Sequence, residues 1–130
     1  MRHRILIVED NPANRELLAD WLELEGYEVV AAADLKSAFT AVENQNPHAV
    51  LLDIQLGAED GLQLARWMRQ QARFQRIPVI AVTAHAMVAE HERMLQAGCN
   101  DYVSKPIDFR TLRHYLEQWL TLSMPANPLN

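Results

Sequence analysis

The alternation of short apolar segments with longer amphipathic ones constrains the fold of this chain most strongly. Three segments, at residues 4–8, 49–52 and 78–82, are continuously apolar and rich in Ile, Val and Leu, as strands buried on both faces are. Two weaker segments, at residues 27–32 and 101–104, complete a set of five predicted strands. Because helical segments separate these strands, we expect a mainly parallel sheet with helices on both faces and right-handed connections.

Five helical segments follow the five strands and produce a (βα)5 pattern, which belongs to the α/β class. Asn11 predicts the start of the first helix, and Gly26 predicts its end. Three aspartates, Asp34, Asp60 and Asp108, are placed to begin later helices. The predicted helices cover residues 12–25, 35–45, 61–74, 87–98 and 109–120.

Composition and charge limit the classes of function. The 130 residues fit one compact domain, predicted over residues 1–122, and residues 123–130 form a predicted flexible tail or the start of a linker. A net charge of -5 disfavours direct binding of nucleic acid, and no segment approaches the roughly 20 apolar residues of a membrane span. The single cysteine, Cys99, cannot form an internal disulfide, so we expect a cytoplasmic protein that does not associate with a membrane.

Polar side chains stand at the carboxyl ends of four predicted strands. In a parallel α/β sheet these ends share one edge, and ligands bind beyond that edge. We therefore expect these side chains to lie close together, although they are far apart in the sequence. They are Glu9 and Asp10 after the first strand, Asp53 after the third, Thr83 after the fourth and Lys105 after the fifth.

The residue types at this edge indicate phosphoryl transfer to a carboxylate. Crowded carboxylates raise one another's pKa values unless a cation offsets their charge, and oxygen ligands without His or Cys favour Mg²⁺. Asp53 is the candidate acceptor, with Glu9 and Asp10 as candidate metal ligands. Lys105 would contact a phosphoryl or carboxylate oxygen, and Thr83 would donate to another phosphoryl oxygen. Each residue alone has an ordinary structural explanation, so the hypothesis depends on their joint placement.

Four motifs carry a resemblance to a known family. ILIVEDN, LLDIQL followed by DG, VIAVTA and YVSKPID occur in this order at successive strand ends. Together they resemble the receiver domains of two-component response regulators, over residues 5–120. The resemblance implies a flavodoxin-like three-layer sandwich with strand order 2-1-3-4-5. It also implies a phosphoryl-accepting signalling switch rather than an enzyme, with catalysis limited to its own phosphorylation and slow autodephosphorylation.

The resemblance implies a role for each residue of the site. Asp53 matches the phosphorylated aspartate, and Glu9 and Asp10 match the acidic metal pair. The implied cofactor is Mg²⁺, for which Mn²⁺ can substitute, and the backbone carbonyl of Gln55 is the implied remaining protein ligand. Lys105 matches the active-site lysine of the family, and its bond to the following proline is expected to be cis.

The resemblance also implies a switch and a means of setting its lifetime. Thr83 and Tyr102 match the switch residues: the Tyr102 ring turns inward when Thr83 moves toward the phosphoryl group. This movement alters the surface formed by the fourth helix, fifth strand and fifth helix. Gln55 and His85 flank the route of attacking water in this family, so both are candidates for tuning the phosphoryl lifetime.

The segment after Asp53 departs from the family pattern. Met-Pro is common at the third and fourth positions after the aspartate, where this chain has Leu56 and Gly57. Glu59 occupies a position that is commonly apolar. Glycine permits backbone angles that proline forbids, so the conformation of this loop is left open while the acceptor assignment is unaffected.

The expected partners are other signalling proteins. The resemblance implies that the phosphoryl donor is a phosphohistidine on a histidine kinase or histidine phosphotransfer protein. A downstream protein is expected to bind the surface of the fourth helix, fifth strand and fifth helix, and a phosphorylation-dependent dimer is one form that this output can take. None of the chain's own histidines is expected to be the donor, because they share no face and no metal-ligand spacing: His3, His48, His85, His91 and His114.

Other functions fit this sequence less well or stay open. The chain could be the receiver portion of a hybrid histidine kinase, since no output segment follows residue 122. An aspartyl-nucleophile phosphatase needs a second acid two residues after the nucleophile, where this chain has Gln55, and a substrate cap for which there is no room. A binding module with a decayed site is disfavoured because the acidic pair, acceptor and lysine are all present. A flavin carrier is disfavoured because no phosphate-binding loop follows the first strand.

Overall fold

The central sheet is built from five parallel strands. The computed structural model describes residues 2–84 and 87–123. The strands are β1 (Arg4–Val8), β2 (Glu28–Ala32), β3 (Ala49–Asp53), β4 (Val79–Thr83) and β5 (Asp101–Ser104). Their order across the sheet is β2-β1-β3-β4-β5, which confirms the predicted order. All residues of β3 and β4 are buried, as their continuous apolar sequences predict, whereas β2 and β5 at the sheet edges are partly exposed.

Helices cover both faces of this sheet. In the described residues they are α1 (Pro12–Leu24), α2 (Leu35–Gln45), α3 (Leu62–Gln70), α4 (Val88–Gln96) and α5 (Phe109–Ser123), and none is long and apolar enough to cross a membrane. The helices α2, α3 and α4 share one core cluster with Leu6 and Val8 of β1. The helices α1 and α5 share the other cluster with Ile5 and Ile7. Alternation of side chains along β1 therefore places one core layer on each face, and the predicted three-layer sandwich is confirmed.

Three of the four predicted helix caps form. The side chains of Asn11, Asp34 and Asp108 accept hydrogen bonds from backbone N–H groups in the first turns of α1, α2 and α5. The prediction for Asp60 was wrong in detail, because Gly61 occupies the cap position of α3. The Asp60 carboxylate still accepts a hydrogen bond of 3.0 Å from the first backbone N–H of α3, so it satisfies a free donor there.

The third helix is shorter than the sequence predicts. It ends at Gln70, and a 3₁₀ turn follows at Ala72–Phe74, because the extended backbone of Gln71 breaks the helix and lets Phe74 turn into the core. The fifth helix is longer than predicted and ends at Ser123. The first residue of the predicted tail thus belongs to α5, and residues 124–130 lie outside the described residues.

His48 precedes β3 at the edge of the sheet opposite the carboxyl ends. Its Nδ1 accepts a hydrogen bond of 2.8 Å from the backbone N–H of Arg4, so this nitrogen carries no proton. Burial, followed by the neighbouring His3 and Arg4, holds the pKa of His48 below its usual value, while Glu28 acts in the opposite direction. The folded protein therefore favours the neutral ring.

Acidification should destabilise the fold through His48. The unfolded chain takes up this proton near pH 6.5, whereas the folded chain takes it up at lower pH, so stability is lost as the pH falls below about 6.5. The slope should be less than about 1.4 kcal/mol per pH unit, because solvent screens the partly exposed ring. Thermal unfolding between about pH 5 and about pH 7 should show a flatter dependence in His48→Asn, which can accept the same hydrogen bond without titrating. His114→Gln, on the exposed side of α5, is the control, and an unchanged slope in His48→Asn would contradict this role.

Candidate functional site

Three carboxylates meet where β1 and β3 end. Glu9 directly follows β1, Asp53 is the last residue of β3, and the two strands are hydrogen-bonded neighbours. One carboxylate oxygen from each of Glu9, Asp10 and Asp53 lies within 4.8 Å of the other two. Glu9 and Asp53 are only 2% and 4% exposed, whereas Asp10 faces solvent. The structure thus brings together the three acidic residues that the sequence places at this edge.

Lys105 connects two of these carboxylates. Its Nζ lies 2.9 Å from Asp53 Oδ2 and 3.2 Å from Glu9 Oε1. Partial burial lowers the pKa of Lys105, but the hydrogen bonds and charges of Asp53 and Glu9 outweigh this effect and raise the pKa above its usual value. The ammonium group therefore stays charged and offsets part of the acidic cluster. The Lys105–Pro106 peptide bond is cis, as expected.

Backbone and side-chain donors hold the acidic residues in place. The Gln55 N–H donates to Asp53 Oδ1 at 2.9 Å, and the Asn11 N–H donates to Glu9 Oε2 at 3.1 Å. Arg15 reaches back from α1, and its guanidinium donates to the backbone carbonyl of Glu9 at 2.9 Å. Both buried carboxylates are thus oriented by contacts outside the cluster itself.

The surroundings of Glu9 disfavour its charged form. Burial, and after it the hydrogen bond to Asp53, raises the pKa of Glu9. Among the described residues, the ammonium group of Lys105 contacts two of the three carboxylates, so a further cation would relieve the repulsion among them. Carboxylate oxygens are the ligands that hard divalent cations prefer, and therefore the residues present fit a divalent metal ion.

Gly61 allows the close approach that shapes the loop after β3. Its N–H donates to the carbonyl of Ile54 at 2.9 Å. A Cβ at this position would lie 2.3 Å from the carbonyl oxygen of Asp53 and 3.0 Å from Ile54 Cα, which is too close for any side chain. Gly61 of the DG pair noted in the sequence therefore packs directly against the backbone at the end of β3.

A small hairpin that the sequence does not predict follows Asp53. Residues 55–60, called the 55–60 hairpin below, form two antiparallel strands, Gln55–Leu56 and Glu59–Asp60, that are joined by a two-residue turn. Gly57 begins this turn with a φ of +61°, a value that proline cannot adopt. A glycine in a two-residue connection was the available signal, but the strands are too short to show an alternating pattern.

The two residues expected to form the switch lie on neighbouring strands: Thr83 ends β4, which pairs with β3, and Tyr102 lies on β5. Thr83 is the last residue of β4 and is 2% exposed, and its backbone carbonyl accepts a hydrogen bond of 2.8 Å from the Lys105 N–H. Tyr102, on β5, is half-buried, and its ring centroid lies 4.9 Å from that of His91 on α4. Tyr102 thus joins the edge strand to α4. His85, the second candidate for tuning the phosphoryl lifetime, lies outside the described residues.

A family model described as the response regulator receiver domain matches residues 5–117. The chain belongs to the response regulator receiver family. The resemblance carried by the four sequence motifs is therefore confirmed. Over 120 residues this receiver domain is 38% identical to the polar-differentiation response regulator DivK of Brucella ovis, with 89% of this chain and 98% of that protein covered. The DivK protein of Brucella anthropi shows the same identity and coverage.

Solved structures confirm the receiver fold. A putative response regulator from Chloroflexus aurantiacus has a TM-score of 0.88 and 30% identity, and the match covers 93% of this chain and 99% of that chain. The receiver domain of the sensor histidine kinase PA1611 from Pseudomonas aeruginosa has a TM-score of 0.85 and 38% identity over the same shares. The PA1611 structure has a magnesium ion coordinated in its active site cleft. The present chain is thus a receiver domain, a signalling module rather than a classical enzyme.

Proposed function

We propose that this receiver domain accepts a phosphoryl group on Asp53 from a phosphohistidine, with Mg²⁺ as cofactor and with Mn²⁺ able to replace it. The observation that carries the proposal is the contact of Lys105 Nζ with the buried carboxylates of Asp53 and Glu9, beside the exposed Asp10. A buried aspartate in contact with a lysine and next to two further acids suits phosphoryl acceptance, because the cations offset the charge of the incoming group.

The covalent step is a displacement at phosphorus. One carboxylate oxygen of Asp53 forms a bond to phosphorus while the phosphorus–nitrogen bond of the phosphohistidine breaks, and the imidazole leaves with the electron pair of that bond. The metal ion, when bound, orients the phosphoryl oxygens and offsets their charge. The carboxylates of Glu9, Asp10 and Asp53 and the backbone carbonyl of Gln55 would hold it.

The other residues of the site stabilise and report the phosphoryl group. Lys105 donates to an oxygen of the phosphoryl group or of the acceptor carboxylate, and the Thr83 hydroxyl donates to another phosphoryl oxygen. Movement of Thr83 turns the Tyr102 ring inward, and the contact between Tyr102 and His91 passes this change to α4. Gln55 and His85 set the lifetime of the phosphoryl group through the access of water.

The proposed output is a change of protein partner. Val88 and Leu95 of α4 are 80% and 54% exposed, which leaves apolar side chains on the face of α4, β5 and α5 that a downstream protein would bind. Dimerisation through this face on phosphorylation is another form of the proposed output. The donor is a histidine kinase or a histidine phosphotransfer protein, and the proposed domain, residues 1–122, acts in the cytoplasm without binding nucleic acid or membrane.

A second arrangement is supported by one comparison. The PA1611 receiver, which is 38% identical to this chain, is described as part of a sensor histidine kinase. The chain could therefore work as the receiver portion of a hybrid kinase, with the same chemistry at Asp53. The two arrangements differ in whether the donor histidine is in the same polypeptide.

Incubation with Mg²⁺ and acetyl phosphate should add one phosphoryl group to the wild-type chain, as measured by intact mass. Asp53→Asn should remain unmodified because it lacks the nucleophilic oxygen. Asp20→Asn, on the exposed side of α1, is the matched control and should be modified like the wild type. Omission of Mg²⁺ should also prevent the mass increase. A wild type that stays unmodified, or an Asp53→Asn variant that gains the same mass, would exclude the proposed function.

A further inference from the structure

The 55–60 hairpin is held by a helix that is distant in the sequence. Glu59 Oε1 accepts a hydrogen bond of 3.2 Å from the backbone N–H of Leu35, the first residue of α2. The cap residue of this helix, Asp34, bonds instead to the N–H and hydroxyl of Ser37. Glu59 therefore satisfies a backbone donor at the start of α2 that the cap residue does not satisfy.

The hairpin connects the contact between Glu59 and Leu35 to Asp53, the proposed acceptor. In its register Glu59 lies opposite Leu56, and Asp60 lies opposite Gln55. The Gln55 N–H donates to Asp53 Oδ1 at 2.9 Å, and the Gln55 carbonyl is the proposed metal ligand. A displacement of the Glu59 strand would therefore move the backbone of Gln55.

Two short strands cannot keep this position unaided. A two-stranded hairpin is marginally stable in water, and this one has only two residues in each strand and a glycine in its turn. Proline, which would stiffen the backbone, is common in the family at the position of Gly57. In this chain, contacts with other elements therefore have to hold the hairpin in one conformation.

We propose that Glu59 is a positioning residue for the divalent cation: by bonding the start of α2 it holds the 55–60 hairpin and thereby places the Gln55 carbonyl at the acidic cluster. This inference rests on the proposed function, in which Mg²⁺ binds at that cluster. It also explains the acidic residue at a position that is commonly apolar. Substitution of a residue that orients a metal ligand commonly weakens metal binding by about 10- to 100-fold. Because the contact between Glu59 and Leu35 is partly exposed, we expect its loss to weaken binding by about 10-fold or less.

A second anchor keeps the hairpin folded when Glu59 is replaced. Asp60 bonds to the first N–H of α3 and forms ion pairs with Arg66 at 3.1 Å and with Arg93 at 3.3 Å. Substitution of Glu59 should therefore loosen the hairpin without unfolding the domain.

Two variants of Glu59 separate the hydrogen bond from the charge. Glu59→Gln keeps an oxygen that can accept from Leu35 and removes the negative charge, whereas Glu59→Leu removes both. Isothermal titration with Mg²⁺ should show a dissociation constant raised about 3- to 10-fold in Glu59→Leu and within about 2-fold of wild type in Glu59→Gln. Amide hydrogen exchange at Gln55 should be faster in Glu59→Leu alone.

Other results would overturn the inference. Equal weakening of Mg²⁺ binding in the two variants would show that Glu59 acts through its charge at a distance, and unchanged binding in both would show that the contact with α2 does not position the hairpin. The wild-type chain tests the proposed function in the same experiment. If it is phosphorylated on Asp53 with Mg²⁺ while the variants do not differ, only the role of Glu59 is wrong.

Discussion

Replacement of Lys105 by methionine should slow phosphorylation of Asp53 by about 100-fold, while the affinity for Mg²⁺ stays the same or increases. The rate should fall because Lys105 is the side-chain cation that contacts the acceptor carboxylate, at 2.9 Å, and the negative charge that enters with the phosphoryl group loses this partner. The affinity for Mg²⁺ should not fall, because the same substitution removes a positive charge that competes with the metal ion for Glu9 and Asp53.

A fall in the phosphorylation rate without a fall in Mg²⁺ affinity would distinguish a role of Lys105 at the phosphoryl group from a role at the metal site. Rates are measured with acetyl phosphate at saturating Mg²⁺, and the metal dissociation constant is measured separately by calorimetry. The control is Lys36→Met, which removes the only other lysine of the chain, an exposed residue of α2, and should change neither quantity. If Lys105→Met weakened Mg²⁺ binding and left the saturated rate unchanged, Lys105 would act on the metal site rather than on the phosphoryl group.

Gly61→Ala should lower the free energy of unfolding by about 3 kcal/mol and slow phosphorylation at least about 10-fold. The backbone angles of Gly61, φ -58° and ψ -26°, suit alanine, so the whole effect comes from the clash of the new Cβ with the Asp53 carbonyl oxygen, 2.3 Å away. Relief of the clash has to move the end of β3, which carries the acceptor. Urea unfolding and the acetyl phosphate reaction measure the two effects.

Gly26→Ala is the matched control, because it introduces backbone strain without a steric clash, whereas Gly61→Ala introduces a clash without backbone strain. Gly26 has a φ of +94°, which disfavours alanine, but a Cβ there would have no neighbour within 4 Å. Its cost should be about 1–2 kcal/mol, and the rate of phosphorylation should not change because α1 ends far from the carboxyl edge of the sheet. If Gly61→Ala lowered the free energy of unfolding no more than Gly26→Ala does, the loop after β3 would accommodate the new Cβ without displacement of β3, and the prediction would be wrong.

The strands and the acidic edge could be predicted from the sequence because both follow from local patterns. Continuous apolar segments mark the buried strands, and the parallel arrangement brings Glu9, Asp53 and Lys105 to one edge whatever the details of packing. Helix caps are equally local, since an asparagine or aspartate bonds to an N–H three residues later in α1 and α2. Such features need no knowledge of the tertiary structure.

The features that were missed depend on contacts between distant residues. Glu59 bonds to Leu35, which is 24 residues away, and this pairing cannot be read from either segment. The contact between β5 and α5 is of the same kind: Trp119 packs against the core, and its indole N–H donates to the carboxylate of Asp101 at 3.1 Å, 18 residues away in the sequence. Side chains whose partners come from another element need the fold before their role can be assigned.

The division of the core into two layers has a consequence for what a partner can detect. Met94 of α4 belongs to the layer shared with α2 and α3, whereas Leu112 of α5 belongs to the layer shared with α1. The edge strand β5 lies where the two meet, with Tyr102 packed on the first layer and Val103 buried in the second. A partner that contacts both α4 and α5 would therefore touch helices that pack on different core layers. A rearrangement within one layer would change only the part of the binding surface on that helix, and a rearrangement of both layers would be needed to change the whole surface.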